Sequence, residues 1–153
     1  MKYTVLAIGK LPKTTPEAAL IADYAGRLRG SLDIKEFAEK RDLPPARQRE
    51  AESALLLNAV PPKAKVVALD ESGDVLSSRE LARQVSAWQN QGVSHICFLI
   101  GGAGGHAGAL KKQADRTLSF GRMTLPHLLA RVVLAEQIYR VQTILDNHPY
   151  HKD

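Results

Sequence analysis

The sequence has almost no cysteine and no long apolar run. Cys97 is the only cysteine among 153 residues, so no disulfide can form within the chain. It stands in an apolar strand pattern, where a cysteine reads as a small buried hydrophobe, with no neighbour that would lower its pKa. No stretch of about 18 apolar residues is free of charge, which argues against a membrane span. The start lacks a basic segment leading into an apolar one. Residues 1–8 are too short for a secretory signal and read instead as a first strand, so a cytoplasmic protein is expected. There is no internal repeat and no linker long enough to divide domains. Residues 1–153 are expected to form a single domain, large enough to bury roughly two thirds of its unfolded surface.

What is present suits a globular protein: 44% hydrophobic and 24% charged residues. Lys and Arg total 21 against 16 acids, a formal net charge of +5, and the isoelectric point is near 9.5. That excess suits a polyanionic partner, because neutralising phosphates releases counterions. Many proteins without such a partner are equally basic.

Apolar runs alternate with helix signals along the chain. Residues 3–8 read as a buried strand ending at Gly9. Thr15-Pro16-Glu17 supplies a cap hydroxyl, a first-turn proline and an acid, opening a helix to about Arg29 that stops at Gly30. Residues 32–37 alternate as a half-solvated strand. Residues 38–47, with Pro44-Pro45, read as a loop, and residues 50–60 as a second helix closed by Pro61-Pro62. Residues 65–69 form a strand running into the turn cluster Asp70-Glu71-Ser72-Gly73. Ser77 and Glu80 fit a capping box for a helix to Gln91. Then come a strand at 95–100, a glycine run, a short helix through Ala114, a short strand near Leu118 and a long helix from Pro126. The order predicts an α/β fold, a mostly parallel sheet with helices on both faces.

The run Gly101-Gly102-Ala103-Gly104-Gly105-His106-Ala107-Gly108 follows a strand and opens a helix, where open α/β sheets bind ligands. Without β-carbons the backbone can approach a small molecule closely. From Gly102 the run satisfies G-x-G-x-x-A. A dinucleotide fold, however, would carry it after the first strand, with an acid about twenty residues on. Here it follows the penultimate strand, no such acid appears, and no G-K-[ST] closes a phosphate loop. A tight turn without ligand is the plainer alternative.

The last helix is apolar almost all round, from Leu128 to Leu145, so it is buried on more than one side. A second copy of the chain is the expected further cover, hence a homodimer. Glu136 and Arg140 are spaced for a structural ion pair. Arg131 sits on a narrow polar stripe and needs an anionic or carbonyl partner, from a ligand or from neighbouring backbone. The tail His148-Pro149-Tyr150-His151-Lys152 is not typical of a frayed end. Its histidines can titrate near neutral pH, and its tyrosine can stack on a base or hydrogen-bond.

Together these segments resemble the RlmH family of trefoil-knotted (SPOUT) methyltransferases. The resemblance is carried by Phe98-Leu99-Ile100-Gly101-Gly102, by Leu118-Ser119-Phe120 with Met123-Thr124-Leu125-Pro126-His127, by residues 131–140 (RVVLAEQIYR) and by the tail. Val5-Leu6-Ala7-Ile8-Gly9-Lys10 and Val67-Ala68-Leu69-Asp70 fit as well. The resemblance implies a homodimer with a C-terminal knot that uses S-adenosyl-L-methionine to methylate N3 of a pseudouridine in 23S rRNA within the ribosome. It requires no metal. It places cofactor contacts on Leu69, Gly101, Phe120, Gly121, Arg122, Met123, Thr124 and Leu125. The implied catalytic surface is Arg131, Arg140, His148, Tyr150 and His151, facing the partner's cofactor. His148 would take part in removing the N3 proton, Arg131 would stabilise charge on the imide oxygens, and Tyr150 would position the base. Relatives often carry proline after the glycine pair and an apolar residue near position 106; Ala103-Gly104-Gly105-His106 departs from that and bears on the loop's rigidity. Two other readings are a non-catalytic ribosome-binding or assembly factor and a Rossmann-type nucleotide enzyme, the latter weakened by the missing acid.

Overall fold

The computed structural model describes residues 1–151, with only the backbone of His151. The side chain of His151 and all of Lys152, both assigned to the tail above, lie outside the described residues. Five strands form one wholly parallel sheet in the order β2-β1-β4-β3-β5: β1 (Lys2–Ile8), β2 (Ser31–Phe37), β3 (Lys65–Val75), β4 (His95–Ile100) and β5 (Arg116–Ser119). The intervening helices are α1 (Pro16–Arg27), α2 (Pro45–Asn58), α3 (Ser78–Asn90), the short α4 (Gly108–Gln113) and the closing α5 (His127–Leu145).

Strand alternation divides the core in two. Tyr3, Val5 and Ala7 of β1 face one way with Phe98 and Ile100 of β4, beneath α3 and α5. Leu6 and Ile8 face the other way with Cys97 and Leu99, against Leu56 of α2 and Leu110 of α4. Helices therefore cover both faces, as the strand-helix order predicts. Burial pushes the Cys97 thiol up to about 11, consistent with a packing residue.

Two helices end or begin elsewhere than expected. α1 stops at Arg27, short of Gly30; that glycine (φ +112°) sits where a β-carbon would lie 2.6 Å from the Met1 carbonyl oxygen. α2 starts at Pro45, five residues before the expected helix, because a proline at the first helical position forfeits no hydrogen bond. β3 also runs on through the turn cluster to Val75, with its register against β5 shifting between Leu69 and Asp74. The capping box of α3 is formed at both ends: Ser77 Oγ accepts from Glu80 N at 3.1 Å, and Glu80 Oε2 from Ser77 N at 2.7 Å.

α5 finds its cover within one chain. Val132 and Ala135 pack with Ile21 of α1, and Leu134, Ile138 and Val141 join the sheet and α3. Most of its apolar circumference is thus covered within one chain, with Leu129 left 40% exposed. Its first turn is tied to the far side of the sheet: the His127 Nε2–H donates to the Ile8 carbonyl at 2.7 Å. Since β5 is the outer neighbour of β3, residues 120–126 must cross the carboxyl ends of β3 and β4 to reach the end of β1. That crossing shapes the site.

Candidate active site

A cavity of about 540 Å³ opens at the carboxyl ends of β3, β4 and β5. Of the eight residues expected to touch a cofactor, Leu69, Gly101, Phe120, Gly121, Met123, Thr124 and Leu125 line it and Arg122 does not. Three loops from distant parts of the chain thus meet in one place.

The glycine loop is held tightly. Gly105 N donates to the Gly102 carbonyl at 2.9 Å, closing a turn, with Gly105 at φ +74°. Ala107 N donates to Ser53 Oγ of α2 at 2.9 Å. A β-carbon on Gly101 would lie 3.0 Å from the Gly105 backbone, and one on Gly102 would lie 2.9 Å from Glu52 Oε1. His106 is buried, with one ring nitrogen, Nε2, 3.0 Å from the Leu99 carbonyl. A carbonyl can only accept, so Nε2 carries the proton; Nδ1 is left without a partner. Burial holds the His106 pKa below its ordinary value. These ties supply the rigidity that a proline would otherwise give. The crossing segment is braced in the same way by Ser119 Oγ, which accepts from Gly121 N at 3.1 Å.

Polar groups the sequence did not place at the site also line the cavity: Arg49, Lys111 and, from the turn cluster after the expected strand, Asp70, Glu71 and Ser72. Burial disfavours the Asp70 carboxylate, but Ser72 donates to it through its hydroxyl and its backbone N–H, and Lys111 Nζ lies 3.8 Å away. The net effect holds its carboxyl below the ordinary value. The cavity falls within the range that encloses small-molecule ligands. Its glycine cradle, apolar walls at Leu69, Ile100 and Leu125, and acids at Asp70 and Glu71 fit a nucleoside carrying a cationic substituent. Among the described residues, no group of three or more His, Cys, Asp or Glu is placed to hold a metal ion.

The expected catalytic residues lie elsewhere, and three of them are occupied. Arg131, 1% exposed, pairs with Glu36 and donates to the Gly9 carbonyl at 2.9 Å. Its partners are structural, so the expected charge-stabilising role does not fit its position. Arg140 is 2.6 Å from Glu136. Tyr150 donates to the same carboxylate at 3.0 Å and packs edge-on against Tyr139, with the Arg140 guanidinium 5.0 Å over its ring. Burial, then Tyr24 and Glu136 beside it, push the Tyr150 phenol above its ordinary pKa.

His148 is exposed. Its backbone closes the end of α5, His148 N donating to the Thr143 carbonyl at 2.9 Å with Asn147 at φ 55°, a Schellman-type ending. Tyr150 N donates to its Nδ1 at 3.2 Å. That nitrogen therefore holds the lone pair, and Nε2 presents an N–H outward. His148 lines a second cavity, of about 330 Å³, with Arg27, Arg29 and Tyr139. In one chain the glycine cavity and the His148 cavity share no lining residue.

Comparison with known proteins agrees with this arrangement. The family described as Predicted SPOUT methyltransferase matches residues 1–151. A protein named Ribosomal RNA large subunit methyltransferase H from Paramagnetospirillum magneticum is 45% identical over 152 residues, 99% of either chain. The protein of the same name from Rhodospirillum rubrum is 46% identical over the same share. A solved structure, a probable methylase family protein from Haemophilus influenzae, shares the fold with a TM-score of 0.54 at 11% identity, covering 99% of this chain and 70% of that one. A methyltransferase family match over nearly the whole length, and relatives of the same length, leave one conclusion: the chain belongs to the SPOUT methyltransferase family.

Proposed function

We propose that this chain is an S-adenosyl-L-methionine-dependent methyltransferase of large-subunit ribosomal RNA, acting on N3 of a pseudouridine as a knotted, single-domain homodimer in the cytoplasm. The observation that carries it is the glycine-cradled cavity of about 540 Å³, in a chain 45% identical end to end to a protein named for this reaction class. The cofactor, when bound, supplies an electrophilic methyl group on a sulfonium, a good leaving group. The three loops then have to hold it and exclude water, a task that falls to Leu69, Gly101, Phe120, Gly121, Met123, Thr124 and Leu125, which line the cavity.

The target N3 is an imide nitrogen between two carbonyls and gives up its proton to solvent water before its bond to carbon is complete; until that bond forms, negative charge is spread over the flanking oxygens. His148 Nε2–H is a donor suited to stabilise it, taking the role expected of Arg131. Tyr150, Tyr139 and Glu136 hold the tail so that His148 keeps this orientation. Because His148 and the glycine loop line separate cavities in one chain, the complete site takes His148 from a partner subunit. Exposed Met123 (86%), Val75 (70%) and Leu129 (40%) supply apolar surface for that contact. The net charge of +5 favours an RNA partner, whose structured target is read by shape and by a splayed base.

The test is calorimetric binding of S-adenosyl-L-methionine with Gly101→Val alongside, then methyl transfer to ribosomes lacking the modification. Micromolar binding lost in Gly101→Val, with transfer to one pseudouridine, is expected. His148→Ala should keep cofactor affinity and lose about 10²-fold in turnover, the usual cost of one transition-state donor. An enzyme with full turnover after that change would rule the role out. Ribosome binding without any cofactor affinity would mark a non-catalytic factor.

A further inference from the structure

We infer that Arg49 of α2 binds the carboxylate of the cofactor's amino-acid end, an inference that rests on the methyltransferase reading above. α2 meets the glycine loop along one face. Residues 49, 52, 53 and 56 span an arc of about 100° around the helix axis, and Glu52, Ser53 and Leu56 are the buried residues of α2. Ser53 Oγ holds Ala107 N, and the Glu52 carboxylate lies under Gly102. Arg49 continues that face to where the cavity opens, its Nε 4.0 Å from the point where a side chain on Gly104 would begin.

Charge then selects its ligand. Four charged side chains line the cavity: Arg49, Asp70, Glu71 and Lys111. Lys111 is engaged by Asp70 at 3.8 Å. Arg49 has no hydrogen-bond or ion-pair partner among the described residues. The cofactor carries a sulfonium, an ammonium and one carboxylate. The two acids suit its cations, and the planar fork of the free arginine suits its carboxylate. The helix that braces the loop would thus also hold the far end of the ligand.

The experiment compares S-adenosyl-L-methionine with its decarboxylated form, which keeps the sulfonium and the amine, by calorimetry on the wild-type and Arg49→Gln enzymes. Wild-type enzyme should bind the decarboxylated form at least about tenfold more weakly, the usual worth of a hydrogen bond to a charged group. Arg49→Gln should bind both forms alike, at the weaker level, and Arg49→Lys should recover part of the preference. Circular dichroism checks that the variant is folded. Three results would overturn the inference: an unchanged preference in Arg49→Gln, an equal loss of affinity for both ligands, or loss only in the salt dependence of ribosome binding, which would assign Arg49 to an RNA phosphate. Wild-type enzyme that binds neither form would instead overturn the methyltransferase reading itself.

Discussion

Arg131 illustrates how a residue's type can be legible while its task is not. The sequence shows a guanidinium on a helix with little solvent face, which demands an anionic or carbonyl partner. That partner could be a substrate or the fold, and only the placing of Glu36 and the end of β1 decides: the guanidinium ties three segments together. Arg131→Met takes the ionic partner from Glu36 and a donor from the Gly9 carbonyl, while Glu36 keeps Leu11 N and the Ile8 carbonyl keeps His127; a loss of about 1–3 kcal/mol in urea unfolding is expected, the usual cost of an unsatisfied buried polar group. Glu36 adds a pH signature. Burial opposes its ionisation, but hydrogen bonds from Arg131 and Leu11 N prevail and lower its folded pKa. Its contribution is therefore complete above the ordinary glutamate value and lost as pH falls through the folded value. Glu36→Gln should flatten the acid limb of the stability profile, measured as urea midpoints from neutral pH downward. An acid limb as steep as the wild type's would refute this.

At the scale of elements, β4 matches the sequence reading at both ends, because an apolar run with turn residues around it leaves few alternatives. The capping box at Ser77 is as legible, since both partners are local. Ser77→Ala should cost about 1 kcal/mol, read from the urea midpoint, and leave cofactor affinity unchanged. The elements read less well are those whose signals allow two meanings. Pro44-Pro45 marks a loop or a helix start, and here the second proline is the first residue of α2. With the helix expected only from residue 50, Arg49 fell outside it, and its place on the face beside Ser53 and the glycine run was not read. Asp70-Glu71-Ser72-Gly73 signals a turn, yet pairing with β5 resumes at Asp74. The glycine loop that lines the cavity was legible because glycines at a strand end are a local feature. The resemblance singled out His148, which is exposed. Its orientation depends on the contact of Tyr150 N with Nδ1, which no sequence pattern encodes.

For the whole molecule, the separation of the two cavities makes a prediction about pairs of chains. The protein should sediment at twice its 16.7 kDa. Mixed dimers of Gly101→Val and His148→Ala should regain methyl transfer that neither variant has alone, because one of the two composite sites is then intact. Continued inactivity of the mixture would place His148 and the cofactor of one site in the same chain. The sheet order has a different consequence, for how the molecule comes into being. β1, the first strand made, ends up inside the sheet, with Lys2 opposite Ser31 on one side and His95 on the other. A nascent chain therefore cannot complete the surroundings of its first strand until β4 has emerged, and α5, which ties the end of β1 down, comes last of all. Pairings this distant in sequence are slow to form. A fragment ending before His95 should remain unfolded, and the native protein is in effect assembled backwards, its beginning made secure by its end.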